Sequence, residues 1–124
     1  MRSAMSDITN KSFEFAVRVL DMSDYLLKSS HSYACEVCVK QVTRSGTSIG
    51  ANIAEGIDAQ SIPDLITKRS IALKEARETN YWLSLMHKKN YISKTMYDSM
   101  LLDLNEIISI LVSANKTLKQ KKVK

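Results

Sequence analysis

Apolar side chains recur in this chain at alternating spacings of four and three residues, in four successive stretches. The most regular stretch places six residues at 4-3-4-3-4: Cys35, Val39, Val42, Gly46, Ile49 and Ile53. Such a repeat puts every member on one stripe of an α-helix and is typical of the seam between packed helices. One Pro and three Gly in 124 residues are too few for the frequent turns of a sandwich or barrel. The sequence therefore predicts an all-α fold.

Short polar links between the four amphipathic segments predict an antiparallel up-and-down four-helix bundle, formed by a single domain over residues 1–124. The predicted helices cover residues 12–28, 33–55, 62–89 and 93–119, and a basic tail covers 116–124. Ser32, Ser61 and Ser93 stand where helix N-caps are expected. Gly56 stands where the second helix would end in a left-handed residue. The seam of the fourth helix is predicted at Tyr97, Leu101, Leu104, Ile108, Leu111 and Leu118.

The first predicted helix has apolar residues on both sides of a narrow polar stripe. One flank consists of Phe13, Ala16, Val17, Leu20 and Leu27, and the other of Phe15, Val19, Met22 and Leu26. A helix of a monomeric bundle needs one apolar face, so the second flank predicts contact between subunits. In the third helix, Trp82 lies nearly opposite the core stripe. It is either a lone aromatic residue on the surface or part of a contact between subunits, and the second interpretation is favoured. The predicted homo-oligomer interface consists of Phe15, Val19, Ile71, Trp82 and Leu85.

The net charge of +5 comes entirely from the end of the chain, because residues 1–115 contain 13 basic and 13 acidic residues. The excess resides in Lys116, Lys119, Lys121, Lys122 and Lys124. Lysines in this arrangement neutralise phosphates in a salt-sensitive way, which makes them candidate nucleic-acid contacts. The alternative is a solvated helix end, where lysines also suit the helix dipole.

Catalytic and metal chemistry has little support in the sequence. Cys35 and Cys38 form a Cys-x-x-Cys pair, but a zinc site would also need His31 and His87, whose spacing matches no zinc finger. Neither His follows a Glu by three residues, which excludes the di-metal bundle motif, and no Ser/His/acid set stands out. We therefore expect no enzymatic activity, no metal and no cofactor. The absence of a leader-like or membrane-spanning apolar run, with two cysteines, predicts a cytoplasmic protein with no membrane partner.

A polar stripe runs beside the apolar seam of the second helix: Gln41, Arg44, Ser48, Asn52 and Glu55, followed by Gly56. Glu55 breaks a local rule, since a carboxylate in the last turn of a helix meets the negative end of the dipole. One interpretation is a binding or catalytic carboxylate. The favoured one is structural, with Glu55 paired to a basic group on the next helix, such as Arg69 or Arg77, or stabilising the loop at Gly56, and Asn52 serving packing.

This stripe belongs to the stretch that runs from Gln41-Val42-Thr43-Arg44 to Ser48-Ile49-Gly50-Ala51-Asn52-Ile53-Ala54-Glu55-Gly56. The stretch resembles the signature of the 23S rRNA intervening-sequence protein family, Gln-Leu-Arg-Arg, small residues, then Ser-Ile/Val-Pro-x-Asn-Ile-Ala-Glu-Gly. Similarity extends over nearly the whole chain, including Ser70-Ile71-Ala72 and Asn90-Tyr91-Ile92. Two departures stand out, since Thr43 replaces the first Arg and Gly50 replaces the Pro. Losing that Arg weakens the case for a phosphate contact there.

The resemblance implies a four-helix bundle that assembles into five-membered rings and has no catalytic activity. Some members are encoded within insertions in large-subunit ribosomal RNA genes. Similar bundles are basic accessory proteins of the reverse transcriptase in diversity-generating retroelements. Two functional hypotheses follow: a ring-like, pentameric binding module associated with RNA or a reverse-transcriptase-like partner, or a protein-binding scaffold with no nucleic-acid role.

Overall fold

The computed structural model describes the backbone of residues 4–29 and 32–123 and the side chains of residues 7–29 and 32–121. These residues form four helices: α1 (Ala4–Lys28), α2 (Tyr33–Ile57), α3 (Ile62–Lys88) and α4 (Lys94–Val123). Among them there is no strand, which confirms the predicted all-α class. Each helix packs against two others, in the cyclic order α1, α2, α3, α4.

Neighbouring helices run in opposite directions, because early residues of one helix contact late residues of the next. Ser23 in α1 bonds Thr43 in α2, whereas Ser12, earlier in α1, meets Gly50, later in α2. The same order holds for Ser45–Thr79 and Gly56–Leu65 (α2 and α3), for Ser70–Asn115 and Ser84–Tyr97 (α3 and α4), and for Lys11–Glu106 and Arg18–Asp103 (α1 and α4). The structure is therefore an up-and-down four-helix bundle.

The predicted N-caps are confirmed by hydrogen bonds that close the first turn of three helices. Ser32, Ser61 and Ser93 accept the backbone N–H three residues later through their hydroxyl oxygens, at 3.1–3.2 Å. At the end of α3, Asn90 has φ +61°, and Tyr91 N–H donates to Met86 O at 2.9 Å. This is a Schellman motif with Asn in the left-handed position, and it directs the chain sharply into α4.

The seam of α2 packs as predicted. Two glycines in the middle of this helix, Gly46 and Gly50, allow α1 to approach closely. A Cβ placed on Gly46 would lie 2.9 Å from Cγ2 of Val19, which is fully buried. A Cβ on Gly50 would lie 3.3 Å from the backbone oxygen of Ser12. Both positions cost helix propensity, and the closer packing of the two helices offsets that cost.

Three boundary predictions were wrong. The first helix begins at Ala4 rather than near residue 12, because Ile8 is fully buried and extends the core by a turn. Gly56 does not end α2 in a left-handed conformation: it lies inside the helix, buried against Leu65 of α3. The fourth helix does not stop at residue 119 but continues to Val123.

The predicted seam of α4 was correct at two positions and shifted at the others. Its fully buried residues are Met100, Leu104, Ile107 and Leu111. Tyr97, Leu101, Ile108 and Leu118 are half-buried at the edge of the core. Adjacent apolar residues such as Ile107 and Ile108 give the two registers nearly equal sequence patterns, so packing against α1 and α3 decides between them.

Candidate nucleic-acid interface

The basic end of the chain is helical up to Val123, so the helix determines the side on which each lysine side chain projects. Lys116, Lys119 and Lys121 are exposed in the last turns of α4. At about 100° per residue, Lys116 and Lys119 share one side of the helix, and Lys121 points away from them. The side chain of Lys122 and all of Lys124 lie outside the described residues. Of the three lysines whose side chains are described, Lys116 and Lys119 therefore lie together and Lys121 lies apart.

Lys116 and Lys119 border a groove between α3 and α4 of about 870 Å³, the α3–α4 groove. It is lined by Ser70, Leu73, Arg77, Val112, Asn115, Lys116, Lys119 and Gln120. Arg77 brings a third cation from α3 to the same groove. We call Arg77, Lys116 and Lys119 the basic cluster. The sequence identified its two lysines but considered Arg77 only as a partner for Glu55.

Among the described residues, the cations of the basic cluster have no acidic partner. Other basic residues at helix contacts are paired, such as Lys11 with Glu106 and Arg18 with Asp103. Like charges that line one groove without counter-charges raise its positive potential, which attracts anions over several ångströms. The geometry of this groove is therefore suited to phosphate.

The polar stripe of α2 serves packing between α2 and α3. Arg44 forms ion pairs with Glu75 (3.2 Å) and with Glu78, and Glu78 also accepts a hydrogen bond from the indole Nε1 of Trp82 at 3.0 Å. Gln41 accepts from Nε of Arg44 at 3.3 Å. Because its guanidinium is held by two carboxylates, Arg44 is not a free phosphate ligand.

The other members of the stripe bond mainly to their own helix. Ser48 donates to the carbonyl of Arg44 at 2.6 Å, and Asn52 donates to the carbonyl of Ser48 at 2.8 Å. Thr43, at the departure from the family pattern, donates to the carbonyl of Val39 and contacts Ser23 of α1. These hydrogen bonds hold the side chains of Ser48 and Asn52 against α2 itself.

Glu55 pairs with a different residue from the one predicted. Its carboxylate lies 3.9 Å from Nζ of Lys68, and neither Arg69 nor Arg77 contacts it. Arg69 is partly buried in α3, and desolvation lowers its pKa below the ordinary arginine value. Arg77 points instead into the α3–α4 groove. The basic group on the next helix is therefore Lys68 rather than either of the two arginines named as examples, because its side chain comes within reach of the end of α2.

Replacing Glu55 by Ala should change the free energy of unfolding by no more than about 0.5 kcal/mol. The side chain is 60% exposed, and a long exposed ion pair contributes little. Removing a carboxylate from the last turn of α2 also relieves an unfavourable dipole interaction. Thermal unfolding followed by circular dichroism measures this, with Asn52→Ala as a comparison that removes a hydrogen bond on the same stripe. A loss of several degrees for Glu55→Ala would contradict the weak pairing described here.

The predicted oligomer interface is corrected at two positions. Phe15 and Val19 lie in the core of the chain itself, with 1% and 0% of their surface exposed, so neither is available to a second subunit. Trp82 and Leu85 are half-buried, and Trp82 packs against the core. Ile71 is exposed on α3. The two flanks of α1 are equally apolar in sequence, and only packing against Gly46 and its neighbours decides which one turns inward.

The opposite flank of α1 is the one left exposed. Phe13 (66%), Val17, Leu20 (46%) and Leu27 lie exposed along one side of the helix, which we call the α1 stripe. A lone exposed Leu is ordinary, whereas four large apolar side chains in register along one helix form a contact surface. The exposed α1 stripe is consistent with the prediction that α1 has a second apolar face. The two α1 residues predicted to form the interface, Phe15 and Val19, belong instead to the core.

The Cys-x-x-Cys pair is buried in the bundle. Cys35 and Cys38 are both free thiols, and burial raises the pKa of each above the ordinary cysteine value, which disfavours the reactive thiolate. His87 stacks on Tyr97 with ring centroids 4.4 Å apart, and His31 lies outside the described residues. Within the described part of the chain, no three His, Cys, Asp or Glu side chains are grouped as metal ligands. None of its helices is long and apolar enough to cross a membrane.

Comparison with known proteins agrees with the fold and with the resemblance in sequence. The family model described as 23S rRNA-intervening sequence protein matches residues 5–113. A crystal structure of a protein of unknown function from the S23 ribosomal protein family of Bacteroides thetaiotaomicron VPI-5482 is similar at 43% identity and a TM-score of 0.84. The match covers 92% of this chain and 99% of that one. A comparison with curated proteins found no match. The chain therefore belongs to the 23S rRNA-intervening sequence protein family.

Proposed function

We propose that this protein is a non-enzymatic, homo-oligomeric bundle that associates with RNA through the end of α4 and the neighbouring part of α3. The observation that supports this most directly is the basic cluster, since Arg77, Lys116 and Lys119 line one groove without an acidic partner among the described residues. The resemblance to accessory proteins of reverse transcriptases adds an RNA-handling enzyme as a further partner of the same surface.

The charge distribution favours a contact with the nucleic-acid backbone. Residues 1–115 are neutral in sum, so the molecule attracts phosphate chiefly where the terminal lysines lie. Contacts between lysine or arginine and phosphate release counterions and are largely independent of sequence. One chain has few such contacts, and its affinity for RNA should be weak, with a dissociation constant of roughly 10⁻⁴–10⁻⁶ M at physiological salt.

Self-association would bring several basic clusters onto one particle. The α1 stripe offers the apolar surface for it, since Phe13 and Leu20 are largely exposed in the single chain. We propose a ring-like assembly of five subunits, as the resemblance to the family implies. Binding of one RNA by several subunits then raises the overall affinity well above that of one copy.

RNA binding by the full-length protein should fall steeply with salt and should drop sharply when the chain is cut after Asn115. The cut removes Lys116 and Lys119 together with Lys121, Lys122 and Lys124. A titration of fluorescently labelled, unstructured RNA between about 50 and 200 mM salt measures both effects. Circular dichroism of the truncated chain controls for folding. Equal binding by the two forms, or no binding by the full-length protein at low salt, would contradict the proposal.

A protein-binding scaffold is the second candidate, and the α1 stripe is the observation that favours it. If the stripe bound a different protein rather than a second copy, the purified chain would stay at its 14.0 kDa mass in light scattering. The two candidates therefore differ in a simple measurement. The RNA proposal requires a particle several times larger that binds RNA, and the scaffold requires a single chain that does not.

A further inference from the structure

Asn115 is a polar residue where the seam of α4 would otherwise be apolar. Only 5% of its surface is exposed. Its Nδ2 donates one hydrogen bond to Oγ of Ser70 in α3, at 3.3 Å. Its Oδ1 is buried and has no hydrogen-bond partner among the described residues. Leaving a buried acceptor unpaired costs folding free energy, so an unpaired oxygen at this depth indicates a group that a ligand completes.

This amide lies in the α3–α4 groove, between apolar and cationic surroundings. Leu73 of α3 and Val112 of α4 form the apolar walls of the groove. Arg77, Lys116 and Lys119 form the basic cluster at the same groove. The volume, about 870 Å³, lies within the range of small-molecule sites. An occupant that fits all three features has a flat apolar body, a hydrogen-bonding edge and a negative charge.

We propose that the α3–α4 groove binds one unpaired nucleotide of an RNA chain. The side chain of Asn115 turns from its buried position to meet the hydrogen-bonding edge of the base, which lies against Leu73 and Val112, and the neighbouring phosphates lie along the basic cluster. The inference rests on the proposed association with RNA and deepens it, because it names the part of the RNA that is read and the side chain that reads it.

The amide of Asn115 has a hydrogen-bond donor beside an acceptor, which is complementary to the edge of a base. It presents an acceptor, Oδ1, beside a second N–H of Nδ2, since only one of the two is engaged by Ser70. Each of the four bases has a donor next to an acceptor on its Watson–Crick edge, and the match survives exchange of the amide oxygen and nitrogen. The site should therefore accept every base with little discrimination. It should reject a duplex, in which that edge is already paired.

Other occupants satisfy fewer of these features. An acidic peptide would pair with the basic cluster but has no flat ring with an edge for Asn115. The body of a second copy of this chain, residues 1–115, has no net negative charge to attract three cations. A nucleotide is the one class among these that engages the cations, the apolar walls and the amide together.

Asn115→Leu is the variant that tests the inference, because leucine has the same number and branching of side-chain heavy atoms and no hydrogen-bonding atoms. Removing a buried, unpaired polar atom should leave the melting temperature unchanged or raised. The affinity for short single-stranded RNA, measured by fluorescence anisotropy with labelled oligouridine and oligoadenosine, should fall roughly tenfold. Affinity for an RNA duplex of equal length should be unchanged, so the preference of the natural protein for single strands should disappear.

A matched pair of charge variants keeps the test valid even if Asn115→Leu fails to fold. Lys116→Gln/Lys119→Gln removes two charges from the groove, and Lys88→Gln/Lys89→Gln removes two exposed charges at the far end of α3. The first should abolish the preference for single strands over duplex. The second should weaken binding of both alike, because it affects only the overall charge.

The outcomes separate this inference from the proposed function. If the natural protein binds single strands and duplex equally, and Asn115→Leu binds like it, the nucleotide site is wrong while association with RNA stands. If no RNA binds at low salt, the proposed function fails as well. If Asn115→Leu instead changes the mass of the particle in light scattering, the groove is a contact between subunits, which also overturns the inference.

Discussion

Replacing Phe13 and Leu20 together by glutamate should reduce the proposed assembly to single chains of 14.0 kDa. Both side chains belong to the α1 stripe and are 66% and 46% exposed, so the fold of the single chain makes little use of them. Between subunits, each would be buried, and a buried unpaired carboxylate is strongly unfavourable. Light scattering measures the mass, and circular dichroism should show that the helices remain.

Tyr25→Glu is the matched control for this double variant. Tyr25 is an equally exposed aromatic residue of α1, but it lies about a third of a turn away, on the polar side of the helix. It should leave the mass unchanged. A natural protein that is already a single chain at micromolar concentration would contradict self-association. A double variant that keeps the natural mass would place the interface elsewhere.

Replacing Gly46 by valine should lower the free energy of unfolding by about 2–3 kcal/mol, and the melting temperature by roughly 10 °C. A Cβ alone at this position would lie 2.9 Å from Cγ2 of Val19. Val19 is fully buried and β-branched, so its methyl group cannot rotate out of the way cheaply. Helices α1 and α2 must therefore separate, which opens the core around them.

Ala51→Val controls for the β-branched residue itself, since Ala51 is exposed on the same helix. It should cost only the difference in helix propensity, about 0.5 kcal/mol. Val19→Ala should also recover part of the stability lost in Gly46→Val, because it removes the atoms that clash. If Gly46→Val were no more destabilising than Ala51→Val, the close approach of α1 and α2 would be wrong.

The helices and caps were predictable because each depends on residues close together in sequence. Ser32, Ser61 and Ser93 each satisfy a backbone donor three residues away, and the seam of α2 follows from a single uninterrupted repeat. The start of α1 was not predictable in this way. Its first turns are largely polar, and the burial of Ile8 against the rest of the bundle helps to hold them in place.

Positions that depend on distant packing were harder to predict. Nothing local distinguishes Phe15 from Phe13, and only the close contact of α1 with Gly46 turns the flank of Val19 inward. The α3–α4 groove is lined by residues about 40 positions apart in sequence. The sequence therefore shows each of its cations but does not show that Arg77 shares a groove with Lys116 and Lys119. One signal was present in the sequence, since Asn115 interrupts an apolar seam, and a polar residue at such a position indicates a functional site.

The affinity of the double variant Phe13→Glu/Leu20→Glu for a long unstructured RNA, compared with that of the natural protein at the same salt, tests the central claim most directly. Both forms retain the basic cluster and differ in the number of copies per particle. The change of −2 in charge per subunit is matched by a second control, Tyr25→Glu combined with Lys28→Gln on the polar side of α1. We expect the dissociated variant to bind at least a hundredfold more weakly than both the natural protein and this control. Equal affinity of the three proteins would contradict a function that requires self-association and RNA binding together.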